Sequence, residues 1–316
     1  MTNFWKNLPL PFTVLAPMED VTNFAFREIV ATLLPKPDVM FTEFTNVEAL
    51  TSEGFEKTIP RLSFSENQRP IVAQIWGINP KSFYKSALLI QKLKFDGIDI
   101  NMGCPERSVV KSGAGAAMID DQNLAREVIS AVKKGAGNLP VSVKTRIGFK
   151  SVVTTEWITF LLEQKIDALS IHGRTAKQMS KGSADWDEVK KTVEIRDRVS
   201  PETLIIGNGD VENYSQVVNI QKKYGVDGVM IGRGIFKNPW VFDPTTLPSH
   251  RASCDYINLL LKHMDLCEKT NSNPKAFEPM KKFFKMYINN FKGASILRQK
   301  LMETKNFDAA RKILEK

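Results

Sequence analysis

Eight short apolar runs, separated by helix-length stretches, constrain the fold of this chain more than any other feature of its sequence. The runs are nearly continuous in Val, Ile, Leu and Met, which is typical of strands buried on both faces of a parallel sheet. They are Phe12–Met18, Val39–Phe44, Ile71–Gly77, Gly97–Gly103, Val141–Gly148, Ala168–Gly173, Thr203–Gly209 and Gly228–Gly234. Amphipathic stretches such as Pro80–Leu93 and Asn123–Lys134 lie between them. The sequence therefore predicts alternating strands and helices.

The number of these units indicates the fold class. Eight strand–helix units over about 240 residues match the size of a (β/α)₈ TIM barrel. An open, doubly wound sheet is the alternative, but it would carry a glycine-rich turn after its first strand. That strand ends instead in Ala16-Pro17-Met18. We therefore expect an α/β fold of the TIM-barrel class.

The pattern changes after Trp240. The segment 243–249 is turn-rich, and beyond it apolar residues recur at three- and four-residue spacing, as in helices. We expect a barrel domain over residues 1–243 and a small C-terminal all-α bundle over residues 244–316. Asn273-Pro274 and Lys292-Gly293 are the predicted breaks between its helices.

Charge separates the two parts. From Thr246 to the end there are fourteen Lys and Arg residues against seven Asp and Glu, whereas the preceding residues are nearly neutral. A basic segment on a neutral body is typical of proteins that meet a polyanion such as a nucleic acid. A solvated, lysine-rich helical surface explains the charge equally well.

The three cysteines, Cys104, Cys254 and Cys267, are odd in number and widely spaced, which favours a reducing compartment over a disulfide framework. No secretory signal or stretch of roughly 20 apolar residues is present. No Cys and His residues occur at zinc-ligand spacing. We expect a cytoplasmic, monomeric protein without a metal.

Polar side chains stand at the carboxyl ends of the predicted strands, where active sites of TIM barrels form. They are Asn101, Cys104, Lys144, Arg146, His172, Arg174, Asn208, Asp210 and Arg233. Gly207-Asn208-Gly209-Asp210 and Gly232-Arg233-Gly234 follow the last two strands, the recurrent phosphate site of this fold. These glycines also suit ordinary tight turns.

Three of these residues allow both a functional and a structural interpretation. Lys144 fits an ion pair with a carboxylate, or a contact to an electron-rich ring such as a reduced flavin. His172 fits a core histidine or a ligand contact. Cys104 is a small buried apolar residue, a nucleophile or a proton donor, and its position between Gly103 and Pro105 favours a tight loop at the barrel mouth.

The motifs together resemble the dihydrouridine synthase family along the whole chain. Six segments occur in the family's order: Asn101-Met102-Gly103-Cys104-Pro105, Gly113-Ala114-Gly115-Ala116-Ala117, Lys144-Thr145-Arg146-Ile147-Gly148, His172-Gly173-Arg174-Thr175, Asn208-Gly209-Asp210 and Gly232-Arg233-Gly234. Departures are small: Glu19-Asp20 replaces small residues, and Trp76 and Phe149 are less common choices. None removes a proposed catalytic group.

The resemblance implies that the protein binds FMN and uses NADPH to reduce the C5–C6 bond of uridine in tRNA, usually in the D-arm. It implies that Cys104 protonates C5. The implied flavin contacts are Ala16, Pro17, Met18, Gln74, Lys144 and His172, with Asn208, Gly209, Asp210, Gly232 and Arg233 at its phosphate. The implied tRNA contacts are Asn101 and Arg174, with Lys281, Lys282 and Lys285 in the basic segment. The target base must leave its stack to reach the flavin.

Two alternatives remain at this level. One is another FMN-dependent barrel oxidoreductase acting on a small molecule, such as a dihydroorotate dehydrogenase or an ene-reductase. The other is an RNA-binding barrel that has lost its flavin. The first has no obvious use for a basic helical segment, and the second would purify without a flavin spectrum.

Overall fold

The computed structural model of the protein describes residues 3–245, 251–270, 277–289 and 291–315. Its nine parallel strands are β1 Phe12–Leu15, β2 Val39–Phe41, β3 Thr45–Asn46, β4 Ile71–Trp76, β5 Gly97–Met102, β6 Val141–Arg146, β7 Ala168–His172, β8 Leu204–Asn208 and β9 Gly228–Ile231. Pairing of β1 with β9 and of β2 with β4 closes eight of them into a barrel. The predicted TIM barrel is confirmed, and the open sheet is excluded.

Helices alternate with the strands, as the amphipathic stretches predict. The helices of the described residues are α1 Phe24–Leu33, α2 Val47–Leu50, α3 Phe55–Thr58, α4 Pro80–Lys92, α5 Arg107–Lys111, α6 Gln122–Ala136, α7 Thr154–Glu163, α8 Trp186–Val199, α9 Tyr214–Tyr224, α10 Gly234–Lys237, α11 Ser253–Thr270, α12 Phe277–Tyr287, α13 Ala294–Met302 and α14 Phe307–Leu314. Short 3₁₀ turns cover Phe4–Asn7, Ile59–Leu62, Glu66–Gln68 and Gly115–Asp120.

The barrel strands end earlier than their apolar runs. The first run extends to Met18, but β1 ends at Leu15 because Pro17 has no N–H group to donate to a neighbouring strand. The two-residue strand β3 pairs with the end of β4 and was not predicted. The residues released from the ladder at these ends form the mouth of the barrel.

The amino-terminal end of the barrel is filled by aromatic side chains. Trp5, on the first 3₁₀ turn, is buried against Phe12 and Phe41, with ring centroids 5.8 Å and 6.5 Å away. Gly228 permits this packing, since an added Cβ would lie 2.3 Å from the Phe12 ring. The interior is thus a packed core, and the open end is the carboxyl end.

The C-terminal helices pack directly on the barrel. The ring of Phe283 on α12 stacks on Phe26 of α1 at 5.2 Å and meets His263 of α11 at 4.7 Å. Four helices, α11–α14, lie in the described part of this region, in agreement with the predicted bundle. Residues 246–250 of the predicted connector and the break at Asn273-Pro274 lie outside the described residues. The boundary between residues 243 and 244 stays a prediction.

Candidate active site

A cavity of about 370 Å³ opens at the carboxyl ends of the barrel strands. It brings together most of the predicted cofactor contacts. Its lining includes Ala16, Pro17, Met18, Lys144, Arg146, His172, Arg174, Asn208, Gly209, Asp210, Gly232, Arg233 and Lys237. The segments that supply them come from β1, β6, β7, β8 and β9, which are far apart in sequence and adjacent only because the barrel closes.

One end of this cavity is strongly cationic. Arg174 donates a 2.6 Å hydrogen bond to the carboxylate of Asp210, and Arg233 lies 3.8 Å from the same carboxylate. Burial alone would raise the pKa of Asp210, but the hydrogen bonds from Arg174 and from the Ala184 N–H hold it below its ordinary value. The side chain of Arg233 is 62 % exposed and remains accessible to an anion.

Arg174 lies in the wall of this cavity. Its side chain is 2 % exposed, and its guanidinium also donates to the main-chain oxygens of Lys181 and Gly182. Its hydrogen bond to Asp210 holds that carboxylate in place. The expected contact of Arg174 with tRNA stays a prediction.

The ammonium group of Lys144 provides donors inside the cavity. Among the described residues its Nζ makes one hydrogen bond, of 3.2 Å, to Oδ1 of Asn208. Burial and the nearby charge of Arg146 lower the pKa of Lys144 to about 8. A buried ammonium with unpaired donors suits an electron-rich partner in the cavity.

The imidazole of His172 is neutral. Burial, followed by the charges of Lys144, Arg146, Arg174 and Arg233, holds its pKa far below the ordinary value. Nη1 of Arg174 lies 3.2 Å from Nε2 of His172. Because a guanidinium only donates, Nε2 accepts and the proton is assigned to Nδ1, which is left as a donor.

Two predicted residues, Gln74 and Asn101, lie beneath the cavity surface. Gln74 has no exposed surface and Asn101 is 5 % exposed. The two amides are hydrogen-bonded to each other, at 3.0 Å between Nδ2 of Asn101 and Oε1 of Gln74. Neither forms part of the cavity lining.

Cys104 lines a second cavity, of about 500 Å³. The other residues around it are Glu19, Phe44, Trp76, Pro105, Glu106, Ser108, Val109 and Met179. Burial raises the pKa of the Cys104 thiol, and the negative charges of Glu106 and Glu19 add to this effect, while the N–H of Glu106 and the charge of Arg146 oppose it. The thiol therefore keeps its proton at neutral pH and is suited to give it up as a general acid.

Arg146 joins the two cavities, and sequence reasoning assigned it no role. It lines the cationic cavity, and its Nε donates a 2.7 Å hydrogen bond to the carbonyl of Gly103, next to Cys104. Its Nη1 donates to the carbonyls of Thr175 and Met179. The sequence feature that could have identified Arg146 is its position within an apolar strand, because a buried guanidinium needs several hydrogen-bond acceptors.

Comparison of the sequence with models of known protein families identifies the family of this chain. The model of the family described as "Dihydrouridine synthase (Dus)" matches residues 14–316. This chain belongs to the dihydrouridine synthase family. It is thus an enzyme of a family of flavin-dependent oxidoreductases, as the motif order predicted, and not one of the small-molecule FMN enzymes raised as an alternative.

Two relatives agree with this membership, and one solved structure agrees with the fold. "Probable tRNA-dihydrouridine synthase 2" of Bacillus subtilis (strain 168) is 44 % identical over 99 % of this chain and 96 % of its own. "Probable tRNA-dihydrouridine synthase" of Staphylococcus aureus (strain COL) is 43 % identical over 99 % of this chain and 95 % of its own. The structure of morphinone reductase has a TM-score of 0.52 at 11 % identity, covering 75 % of this chain and 86 % of its own, and shows the barrel fold alone.

Three of the five predicted tRNA contacts lie on α12, in different surroundings. Lys281 is paired with Glu278 at 3.0 Å and lies over the ring of Phe277. Lys282 donates a 2.7 Å hydrogen bond to the carbonyl of Asp20 in the barrel. Lys285 is exposed. Lys285 is therefore the most accessible of the three to a phosphate.

The structure also bears on the expectations about disulfides, membrane-spanning segments and metal sites. Its three cysteines are free thiols. In the described ranges, no helix is long and apolar enough to span a bilayer. Within the same ranges, no group of three or more His, Cys, Asp and Glu side chains is arranged to hold a metal ion.

Proposed function

We propose that this protein binds FMN in the cationic cavity and uses NADPH to reduce the C5–C6 bond of specific uridines in tRNA. The observation that carries the proposal is the juxtaposition of that cavity with a protonated cysteine. Arg146 lines the cavity and bonds to the carbonyl of Gly103, so the Cys104 loop is attached to the cavity wall.

The cavity fits the parts of FMN in chemical terms. Arg233 and Lys237 supply positive charge at one end, and Asn208, Gly209, Asp210 and Gly232 lie there too, where the phosphate would be held. Lys144 and His172 supply donors toward the ring system. The main chain at Ala16, Pro17 and Met18 lies beside the end of β9, where the N–H of Ala16 donates to the carbonyl of Ile231, and Gln74 would approach the ring system from β4.

The residues of the chain contribute proton transfer and orientation. The FMN held by this cavity would supply, after reduction by NADPH, the hydride for C6 of the uracil ring. Cys104 donates the proton to C5, since burial keeps the thiol protonated, and it recovers a proton from water afterwards. Asn101 holds the main chain of Cys104 and thus sets the direction from which the thiol approaches the base.

The C-terminal region, residues 244–316, would bind the tRNA, and residues 1–243 would carry the chemistry. Lysines such as Lys285 attract phosphates without reading sequence, while the target uridine, in the D-arm, turns out of its stack toward Cys104. The names of the relatives in Bacillus and Staphylococcus support a tRNA substrate. We place the reaction in the cytoplasm, where tRNA is processed, and expect a monomer.

The test is to map dihydrouridine in tRNA from cells that lack this protein and from the same cells after its return. Dihydrouridine should be absent from specific positions in the first tRNA and present at them in the second. Cells given the Cys104→Ala variant serve as the control and should resemble cells without the protein. Identical maps in all strains would contradict the proposal.

A further inference from the structure

A row of buried polar side chains crosses the barrel interior and ends on the loop that carries Cys104. Asp99, Gln74 and Ser142 have no exposed surface. The strand register places Gln74 of β4 beside Asp99 of β5, and Asp99 beside Ser142 of β6. Asn101 lies two residues further along β5 and hence on the same face. Polar groups at such positions are costly unless they are paired.

Every link in this row is a hydrogen bond. Nε2 of Gln74 donates to Oδ2 of Asp99 at 2.7 Å, and Nδ2 of Asn101 donates to Oε1 of Gln74 at 3.0 Å. Oδ1 of Asn101 then accepts from the main-chain N–H groups of Gly103 at 3.1 Å and of Cys104 at 2.9 Å. We call Asp99, Gln74 and Asn101 the Asp99 relay.

The two ends of the relay determine its direction. A carboxylate only accepts hydrogen bonds and a peptide N–H only donates them, so the amides between them have one orientation that satisfies every group. If the Gln74 amide were reversed, its NH₂ group would face the NH₂ group of Asn101. Asn101 would then turn its own NH₂ group toward the N–H groups of the Cys104 loop and lose both bonds.

We propose that Asp99 is a positioning residue for the reduction of uridine: as the fixed acceptor of the relay, it holds the Cys104 loop, and with it the thiol, in register with the base. The step that it serves rests on the proposed function, whereas the relay itself does not. Ser142 completes the acceptor by donating a 2.6 Å hydrogen bond to Oδ1 of Asp99.

The competing explanation is that Asp99 is a counter-ion for Lys144. Among the residues that the structure describes, no salt bridge is found between these two side chains, and Nζ of Lys144 bonds to Asn208. The charge of Lys144 only partly offsets the burial that raises the pKa of Asp99 to about 6. The two explanations differ in what Asp99 must supply. The relay needs a hydrogen-bond acceptor at position 99, whereas a counter-ion needs a negative charge.

Three variants separate these requirements. Asp99→Asn removes the charge but keeps the relay, because the new carbonyl accepts from Gln74 while the new NH₂ group donates to the hydroxyl of Ser142. Ser142→Ala leaves the carboxylate of Asp99 bonded to Gln74. Asp99→Leu removes the acceptor altogether.

The first measurement is amide hydrogen exchange at Gly103 and Cys104, by mass spectrometry with fragmentation, in the FMN-loaded protein without tRNA. Asp99→Asn and Ser142→Ala should stay within about threefold of the wild type, while Asp99→Leu should exchange at least about tenfold faster, because the relay then has no fixed acceptor.

The second measurement follows the two half-reactions of the same proteins separately by rapid mixing: flavin reduction by NADPH, and flavin reoxidation by tRNA. The rate of flavin reduction should be unchanged in all variants. Flavin reoxidation by tRNA should slow at least about tenfold in Asp99→Leu, and at most about threefold in Asp99→Asn and Ser142→Ala. A merely structural role would slow both halves together.

Exchange and reoxidation in Asp99→Asn that match those of Asp99→Leu would overturn the proposal. If Asp99→Leu does not fold, Asp99→Val, which removes the same acceptor with a smaller side chain, decides the same question. Wild-type protein that is not reoxidised by tRNA would instead refute the proposed function. The exchange rates would still decide whether the relay exists.

Discussion

Nε of Arg146 lies 2.7 Å from the carbonyl oxygen of Gly103, which links the cationic cavity to the loop that carries Cys104. Arg146 is 7 % exposed, and burial lowers the pKa of its guanidinium to about 10, which leaves it charged at neutral pH. This single side chain bonds to the loop after β5 and to the segment after β7, so it supports both sides of the site.

Arg146→Met should destabilise the protein. The carbonyls of Gly103, Thr175 and Met179 would lose their donor, and each buried group left unpaired costs about 1–3 kcal/mol. We expect the free energy of unfolding in urea to fall by at least about 3 kcal/mol. Arg126→Met is the control, since this exposed arginine only lies over the Phe160 ring, and its loss should cost below about 1 kcal/mol.

Arg233→Gln should weaken binding of FMN but not of riboflavin, which lacks the phosphate. A charge-assisted hydrogen bond contributes about 1.5–3 kcal/mol, so the Kd for FMN should rise tenfold or more in fluorescence titrations. Lys237→Gln should have a smaller effect, because Lys237 is already paired with Glu212. Equal losses for FMN and riboflavin would place the phosphate elsewhere.

Lys285→Ala should weaken tRNA binding and reduce its salt dependence. Each phosphate contact contributes about 0.7–0.9 to the slope of log K against log salt, so the slope should fall by about that amount. Filter binding at several salt concentrations measures it. Lys92→Ala on α4, an exposed lysine on the barrel, is the control and should leave the slope unchanged. An unchanged slope for both variants would exclude Lys285 as a contact.

The protein should lose stability as the pH falls below neutrality, in part through His263. Burial lowers the pKa of this histidine to about 3, from an ordinary value of 6.5. The unfolded chain therefore binds more protons between these values, so the stabilisation is complete above pH 6.5 and declines as the pH falls toward 3.

The check is the free energy of unfolding in urea at about pH 7 and about pH 5 for the wild type and for His263→Gln. One proton contributes up to about 1.4 kcal/mol per pH unit, so the loss on acidification should be clearly smaller in the variant. The glutamine amide of this variant can still accept from Tyr287, whose hydroxyl lies 3.1 Å from Nδ1 of His263. Equal losses would show that His263 does not titrate in this range.

The sequence predicted the barrel well because parallel strands buried on both faces leave a strong apolar signal and glycines mark their ends. It also located most of the cavity, since residues after consecutive strands must converge at one end of a barrel. The local sequence pattern could not show which distant residues each polar side chain contacts. The acceptor of Arg174, Asp210, is 36 positions away, and the contact of Lys282 with Asp20 spans 262 positions.

The same limitation explains why the sequence did not predict the roles of Asp99 and Arg146. Each is one polar residue within an apolar strand, and its role depends on which neighbour the strand register supplies. Gln74 and Ser142 flank Asp99 only because β4 and β6 pair with β5. The periodicity that identifies a strand does not specify this register.

The central claim is that Cys104 protonates uridine and takes no part in flavin binding or reduction. Its most direct test mixes FMN-loaded protein, reduced by NADPH, with unmodified tRNA and follows the flavin absorbance. Cys104→Ala should bind FMN and be reduced at the wild-type rate, but its reoxidation by tRNA should slow at least about 100-fold, as expected when a general acid is removed. Reoxidation of this variant at the wild-type rate would contradict the account.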